Sequence, residues 1–164
     1  MASFHLKGKK FDGAYCTVDT FRHLLSEKQA EQHLINVAKA LKKNGIYILG
    51  LHLISAQGVT SKVIRWTAKR GRLTVKTSMT MLELDKKKRR ETLKVILRPE
   101  TRNKKESYTS LYQLRTYTLD QLKKLLDKTS VFEIVNAYDE TYDISNPIML
   151  DSKSDYAVLL LRRI

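Results

Sequence analysis

The sequence holds one cysteine, two prolines, six glycines and one tryptophan. A lone cysteine, Cys16, excludes a disulfide framework within the chain and suits a reducing compartment. Long apolar runs are missing: none approaches the roughly 20 residues of a membrane span. The first ten residues, MASFHLKGKK, lack the apolar centre of a signal peptide. These absences lead us to expect a cytoplasmic protein with no membrane attachment. Neither a P-loop nor a G-x-S-x-G elbow occurs. The four histidines, His5, His23, His33 and His52, have no metal-ligand spacing, so no metal is expected. Acidic residues are the scarcer charge, 17 against 31 basic ones, for a net +14. Such an excess attracts nucleic acid or acidic partners. The basic residues are spread along the chain, however, and the one dense run, Lys86-Lys87-Lys88-Arg89-Arg90, falls where a hairpin turn is expected. No aromatic residues interleave with a basic face as base stacking requires. A solvated surface accounts for the charge, and nucleic acid is not the favoured partner.

What is present is a chain of 164 residues, about one domain long. Its hydrophobic content of 42%, with charge interspersed, marks a globular chain with a core of its own. Residues 11–54 read as strand, helix, strand. FDGAYCTV is the first strand. The helix follows in SEKQAEQHLINVAKALKK, where Ser26 and Gln29 make a capping box and Ala30, Leu34, Val37, Ala38 and Leu41 form one apolar stripe. Lys39, Lys42 and Lys43 suit the negative end of the helix dipole, and Asn44-Gly45 is expected to stop the helix by a left-handed cap. Ile46 to Leu53 is a nearly continuous apolar run, as in a strand buried on both faces. Together these form the second half of a nucleotide-binding α/β fold. The glycine-rich loop of its first half is not seen, because ten residues precede Phe11.

Residues 62–117 change to alternation. Leu73, Val75, Thr77, Met79 and Met81 share one strand face, Leu93, Val95 and Leu97 another, and Tyr108, Ser110, Tyr112 and Leu114 a third. Turn residues at 69–71, 85–88 and 99–105 separate them. An inserted antiparallel meander of three or four strands is predicted. Residues 118–164 return to the parent pattern: a Thr118–Gln121 capping box, a helix with Leu119, Leu122, Leu125 and Leu126 on one face, the strand VFEIVNAY, a loop over 142–153 and the buried strand YAVLLL.

Several of these segments resemble class I S-adenosylmethionine-dependent methyltransferases. Phe11-Asp12-Gly13-Ala14-Tyr15-Cys16 looks like their fourth strand, which often opens with Phe-Asp. Leu41-Lys42-Lys43-Asn44-Gly45 resembles their helix-ending Leu-Lys-Pro-Gly-Gly, with Lys43-Asn44 in place of Pro-Gly. Ile46 to Leu53 then looks like their fifth strand. Arg115-Thr116-Tyr117-Thr118-Leu119-Asp120-Gln121-Leu122 resembles the Arg-x-Tyr-x-x-x-Glu-Leu start of their last helix, with Gln121 in the glutamate position. VFEIVNAY and YAVLLLRR look like the closing antiparallel pair, and the meander is similar to the substrate-covering sheet of small-molecule N-methyltransferases. Met1-Ala2-Ser3-Phe4 looks like a sequence beginning at the Met of the Asp-Met pair that lies against the adenine, with the Asp gone.

The resemblance implies an α/β fold: the C-terminal half of a Rossmann-like methyltransferase sheet with an inserted antiparallel β-meander, in one partial domain over 1–164. It implies S-adenosylmethionine as cofactor and methyl transfer to a small-molecule nucleophile. Met1, Cys16, Thr17 and Val18 would border the cofactor, at the strand ends where open α/β sheets bind ligands. Asp19, Phe21, Trp66, Arg115 and Tyr117 would face the substrate. His52, at the end of the fifth strand of the family pattern, stands where a general base could sit. The rival reading is a non-catalytic basic interaction or RNA-binding module that reused this half-fold.

Without the strand that pairs with it in the whole fold, residues 11–17 present an apolar edge, and such edges recruit another strand or aggregate. We expect the chain alone to be marginal, to form a homodimer, or to require a missing N-terminal half that also completes the cofactor site. Sedimentation and hydrophobic-dye binding check this; a stable monomer with little dye signal is the contrary result.

Overall fold

The computed structural model describes residues 1–4, 6, 8–55 and 63–164. Residue 62, where the insertion is expected to begin, and His5 lie outside the described residues. The chain forms two compact units, one from Met1–Val59 with Arg115–Ile164, the other from Thr60–Leu114.

The first unit is a four-stranded mixed sheet with two helices. β1 (Phe11–Cys16) leads through a 3₁₀ turn (Thr20–His23) to α1 (Glu27–Ala40) and β2 (Leu41–His52). A parallel pair needs such a crossover, and here the helix supplies it. β1 and β2 pair in parallel, with Gly13 opposite Ile46 and Cys16 opposite Leu49. The last segment of the chain adds an antiparallel pair. These strands are β7 (Phe132–Tyr138) and β8 (Tyr156–Arg163), and α2 (Leu119–Thr129) precedes them. The sheet order is β1-β2-β8-β7. β1 therefore has one strand neighbour among the described residues, and its Phe11 and Tyr15 are exposed.

Both helices begin as their sequences dictate. The Ser26 hydroxyl accepts from the Gln29 backbone N–H at 3.2 Å, and the Gln29 side chain accepts from the Ser26 N–H at 3.1 Å. Thr118 and Gln121 repeat the reciprocal pair at α2. Each box satisfies backbone donors that the first helical turn leaves without partners. Leu34, Leu41, Tyr47, Leu49, Leu51, Leu122, Leu125, Leu159 and Leu161 are fully buried between sheet and helices. Burying such a side chain contributes about 1.5–3 kcal/mol. One polar chain crosses this core. The buried His33 bonds through Nε2 to the Tyr47 hydroxyl at 2.9 Å and through Nδ1 to the Met1 carbonyl at 3.1 Å. Burial pushes the His33 imidazole down, so a neutral ring joins donor to acceptor.

The end of α1 departs from the sequence reading. The helix stops at Ala40, not after Lys43, and Leu41 already pairs with Phe11. The pairing then breaks and resumes at Gly13 and Ile46, so residues 42–45 bulge out of the strand. Asn44 does take the left-handed conformation, at φ 62°, but it turns the bulge and does not cap the helix. Leu41 is fully buried, and packing it into the sheet outweighs three more helical residues. Gly45 is fixed by space. A Cβ there would lie 2.9 Å from the Lys42 carbonyl and 3.2 Å from that of Asp12.

The second unit is a four-stranded antiparallel sheet in chain order, β3 (Val63–Arg70), β4 (Leu73–Asp85), β5 (Arg90–Glu100) and β6 (Tyr108–Arg115). The basic run occupies the β4–β5 turn, where the Asp85 carboxylate accepts from the Lys88 N–H at 2.8 Å. Trp66 lies on β3 and is about half exposed.

Gly45→Ala should lower stability by about 1–3 kcal/mol, because the obstructing atoms are backbone and cannot rotate away. Urea unfolding should show a lower midpoint at an unchanged slope; an unchanged midpoint would mean that the bulge relaxes freely.

Candidate active site

Parallel pairing brings the carboxyl ends of β1 and β2 to one edge of the first unit. After Cys16 the chain turns through two consecutive left-handed residues, Val18 at φ 52° and Asp19 at φ 61°. A β-branched residue in this region is a steric outlier, and each such residue costs on the order of 1–3 kcal/mol. Asp19 then donates its backbone N–H to the Gly50 carbonyl at 3.3 Å, which ties the corner to β2.

The Asp19 side chain is the hub. Its Oδ1 accepts from the backbone N–H of His52 at 2.8 Å and from the Arg22 guanidinium at 3.1 Å. Its Oδ2 meets His52 Nδ1 at 2.6 Å. Burial alone would push this carboxyl up. The bond to the His52 ring, the Arg22 charge and the His52 N–H together hold it down at about 2. An ionised carboxylate only accepts, so His52 Nδ1 donates its proton to Asp19. Arg22 is itself buried and donates through Nε to the Arg115 carbonyl at 2.9 Å.

Two tyrosines complete the wall. The His52 ring meets the edge of Tyr156 at a centroid distance of 4.7 Å and an angle of 83°. The hydroxyls of Tyr156 and Tyr142 lie 2.9 Å apart. Burial, followed by the bond to Tyr142, pushes the Tyr156 phenol up and keeps it protonated. Gly50 makes room for the pair: a Cβ there would lie 2.8 Å from the Tyr142 hydroxyl and 3.2 Å from that of Tyr156.

Of the residues singled out from sequence, Thr17, Val18, Asp19 and His52 come together at this edge. Val18 is 75% exposed. Cys16 is buried beneath it, its thiol pushed up by burial and bonded to Tyr47. Met1 gives its carbonyl to His33. Phe21 and Tyr117, expected to face a substrate, lie in the core, where they are fully buried with ring centroids 5.8 Å apart. Phe21 also meets the His33 ring edge-on at 5.5 Å, and the Arg115 guanidinium lies 5.6 Å from the centre of the Tyr117 ring. Arg115 is also buried; it pairs with Glu27 and donates to the Leu25 carbonyl at 3.2 Å, bracing the start of α1. Trp66 belongs to the other unit. The sequence reading did not find Arg22, Gly50, Tyr142 or Tyr156. Arg22 had a local signal, its spacing of three residues from Asp19. The tyrosines had none, because it is the β2–β8 pairing that sets Tyr156 across from His52, and Tyr142 reaches the corner from the loop before β8.

The depressed Asp19 carboxyl has a pH consequence of definite sign. The folded state binds this proton less tightly than the unfolded state, so the contribution is present above the unfolded value of 3.8 and fades as pH falls towards about 2. It amounts to about 2 kcal/mol. Asp19→Asn should therefore be less stable than the parent at neutral pH, with the gap narrowing across that acid range. Urea unfolding at a series of pH values measures it; a gap that stays constant into acid would contradict the assignment.

No protein-family model and no curated protein matches the chain. Solved structures do match it. An S-adenosylmethionine-dependent methyltransferase from Clostridium acetobutylicum superposes with a TM-score of 0.71 at 12% identity, over 98% of this chain and 61% of its own. An amino pentose methyltransferase of calicheamicin biosynthesis from Micromonospora echinaspora, solved with S-adenosylmethionine bound, gives 0.71 at 12% identity, over 99% and 62%. A sugar N-methyltransferase from Streptoalloteichus gives 0.70 at 9% identity, over 97% and 59%. The chain spans about three fifths of the length of these proteins. At such low identity the likeness is one of fold, and the chain has the α/β fold of S-adenosylmethionine-dependent methyltransferases.

Proposed function

We propose that the protein is the acceptor-side portion of an S-adenosylmethionine-dependent methyltransferase that acts on a small molecule. Its first unit is read as the C-terminal half of the Rossmann-like sheet, and its second unit as the inserted antiparallel meander. The observation that carries this reading is the strained corner at Val18 and Asp19, held against His52 where two parallel strands end. Strain of this kind persists only where surrounding contacts over-determine it, and it concentrates at functional sites. Open α/β sheets bind their ligands at the same place.

The residues present fit one side of the cofactor. Val18 offers an exposed apolar side chain and Thr17 a half-buried one at the strand end, and Cys16, being buried, offers only backbone. S-adenosylmethionine, when bound, supplies an electrophilic methyl group. What the chain does is position: Asp19 orients His52, Arg22 balances the Asp19 charge, and the tyrosine pair closes the wall behind them. Correct placement of a nucleophile is the larger part of catalysis in such a displacement. The remaining contacts to the cofactor come from a partner, either a second copy or an N-terminal half. One of the similar proteins is an amino pentose methyltransferase and another a sugar N-methyltransferase, which favours a small amine acceptor.

A second reading has one observation behind it. At one end of the second sheet, Lys69, Arg72, Arg102 and Lys105, together with Glu100, line an open pocket of about 510 Å³. A basic pocket of this kind suits an RNA phosphate, as in a non-catalytic module.

Chemical-shift mapping with S-adenosylmethionine at millimolar concentration separates the two, since it detects the weak binding of an incomplete site. Shifts centred on Thr17, Val18 and His52 are expected. No shifts there, together with RNA binding that falls steeply with salt and maps to Lys69 and Arg102, would replace the first reading with the second.

A further inference from the structure

The charge that looks spread along the sequence is divided unevenly between the two units. Thr60–Leu114 carries 16 basic residues against 5 acidic ones, a net +11. The rest of the chain carries 15 against 12, a net +3. About a third of the chain thus holds most of the excess, although self-repulsion opposes such crowding.

Strand register then sorts the charge onto one face of the antiparallel sheet. Opposed residues share a face and successive residues alternate. One face of β3, β4 and β5 is built from the rungs Val63–Thr80–Lys94, Arg65–Ser78–Ile96, Thr67–Lys76–Arg98 and Lys69–Thr74–Glu100. The opposite face carries Ile64–Met79–Val95, Trp66–Thr77–Leu97 and Ala68–Val75–Pro99, and there the Tyr112 hydroxyl meets the Met79 sulfur at 3.7 Å. One side is therefore cationic and hydroxyl-bearing, the other apolar.

The cationic side has a pattern. Arg65 and Lys69 stand on β3, Lys94 and Arg98 on β5, with Ser78 and Thr80 on β4 between the rows. Two strand spacings, about 10 Å, separate the rows, and the cations within a row are about 14 Å apart. Among the described residues none of these four cations is held in an ion pair, whereas Lys76 is matched by Glu100 at 2.9 Å. At the Lys69 end the face continues into the open pocket that Arg72, Arg102 and Lys105 line. No aromatic residue lies on this face of β3–β5, so it has no platform for stacked bases.

We propose that this face is a docking surface for double-stranded RNA. An A-form duplex has a wide, shallow minor groove that displays 2′-hydroxyls between its phosphate rows. The two cationic rows suit the phosphates, and the Ser78 and Thr80 hydroxyls suit the sugars between them. A duplex keeps its bases inside, which agrees with the lack of stacking residues. B-form DNA has a narrow minor groove and no 2′-hydroxyl. An anionic bilayer answers to charge and makes no use of a hydroxyl row. The inference concerns the second unit and does not rest on the methyltransferase reading.

Anisotropy of a labelled RNA duplex of about 20 base pairs, long enough to present two successive minor grooves, measures the binding. The triple variant Arg65→Gln, Lys94→Gln, Arg98→Gln is compared with Lys123→Gln, Lys124→Gln, Lys153→Gln, which removes equal charge from exposed positions of the first unit. At about 0.1 M salt the face variant should bind about thirtyfold more weakly than the parent, with the slope of log K against log salt reduced by about 2–3. The control should stay within about threefold, because charges beyond a Debye length are screened. Amide shifts on adding the duplex should centre on Thr67, Ser78 and Thr80, which locates the contact without any substitution. Equal weakening of the two variants overturns the proposal, since binding would then follow net charge alone. Absence of RNA binding overturns it as well, as does equal affinity for duplex DNA of the same sequence or for phosphatidylserine vesicles. Shifts at Thr17, Val18 and His52 with S-adenosylmethionine are read separately, so failure of the methyltransferase reading leaves this result intact.

Discussion

The parallel pairing of β1 with β2 is the constraint on which the rest of the first unit depends. It requires α1 as a crossover, and it sends both strands to the same edge of the sheet. With Cys16 opposite Leu49, the residues that follow Cys16 must turn beside Gly50 and His52. β8 then pairs with β2 in the opposite sense, with Tyr156 across from His52. Three stretches of sequence therefore meet at one point, and none of them is adjacent in the chain. A slip of one residue in either ladder would turn His52 to the other face of the sheet and undo the site.

The corner illustrates how local cost is carried by global structure. Val18 and Asp19 sit in backbone conformations that neither residue favours. Arg22 is a buried cation, unfavourable by itself. Each answers the other: the Asp19 carboxylate neutralises Arg22, Arg22 and His52 satisfy the carboxylate, and the resulting network fixes the turn. Gly50 is part of the same solution, since any side chain there would displace the tyrosine hydroxyls. The arrangement has no slack in which a single member could be changed alone.

How much of this was legible in the sequence varies with the range of the interaction. Both capping boxes were, because each is closed within four residues by its own side chains. The order of strands and helices was legible from periodicity. The Asn44-Gly45 turn was recognised but misplaced: its conformation is local, yet whether it ends a helix or turns a bulge depends on burying Leu41 in a sheet. Asp19 and His52 were both singled out, but their bond was not, since nothing local to either residue points to a partner so distant. The resemblance implies that Phe21 and Tyr117 face a substrate, yet an aromatic beside a strand end reads the same in sequence whether it faces a cleft or the core. Their burial is decided by α1 and α2 packing over them, a long-range outcome.

The single tryptophan carries a consequence for anyone watching this protein by light. Trp66 sits half exposed on β3 of the second unit, while the first unit holds Tyr47, Tyr117, Tyr142 and Tyr156. Intrinsic fluorescence excited at the indole band is thus a reporter of the antiparallel sheet. Melting of the first unit would register in the near-ultraviolet dichroism of its buried Tyr47 and Tyr117 rings, so the two units have separate spectroscopic signatures without any label.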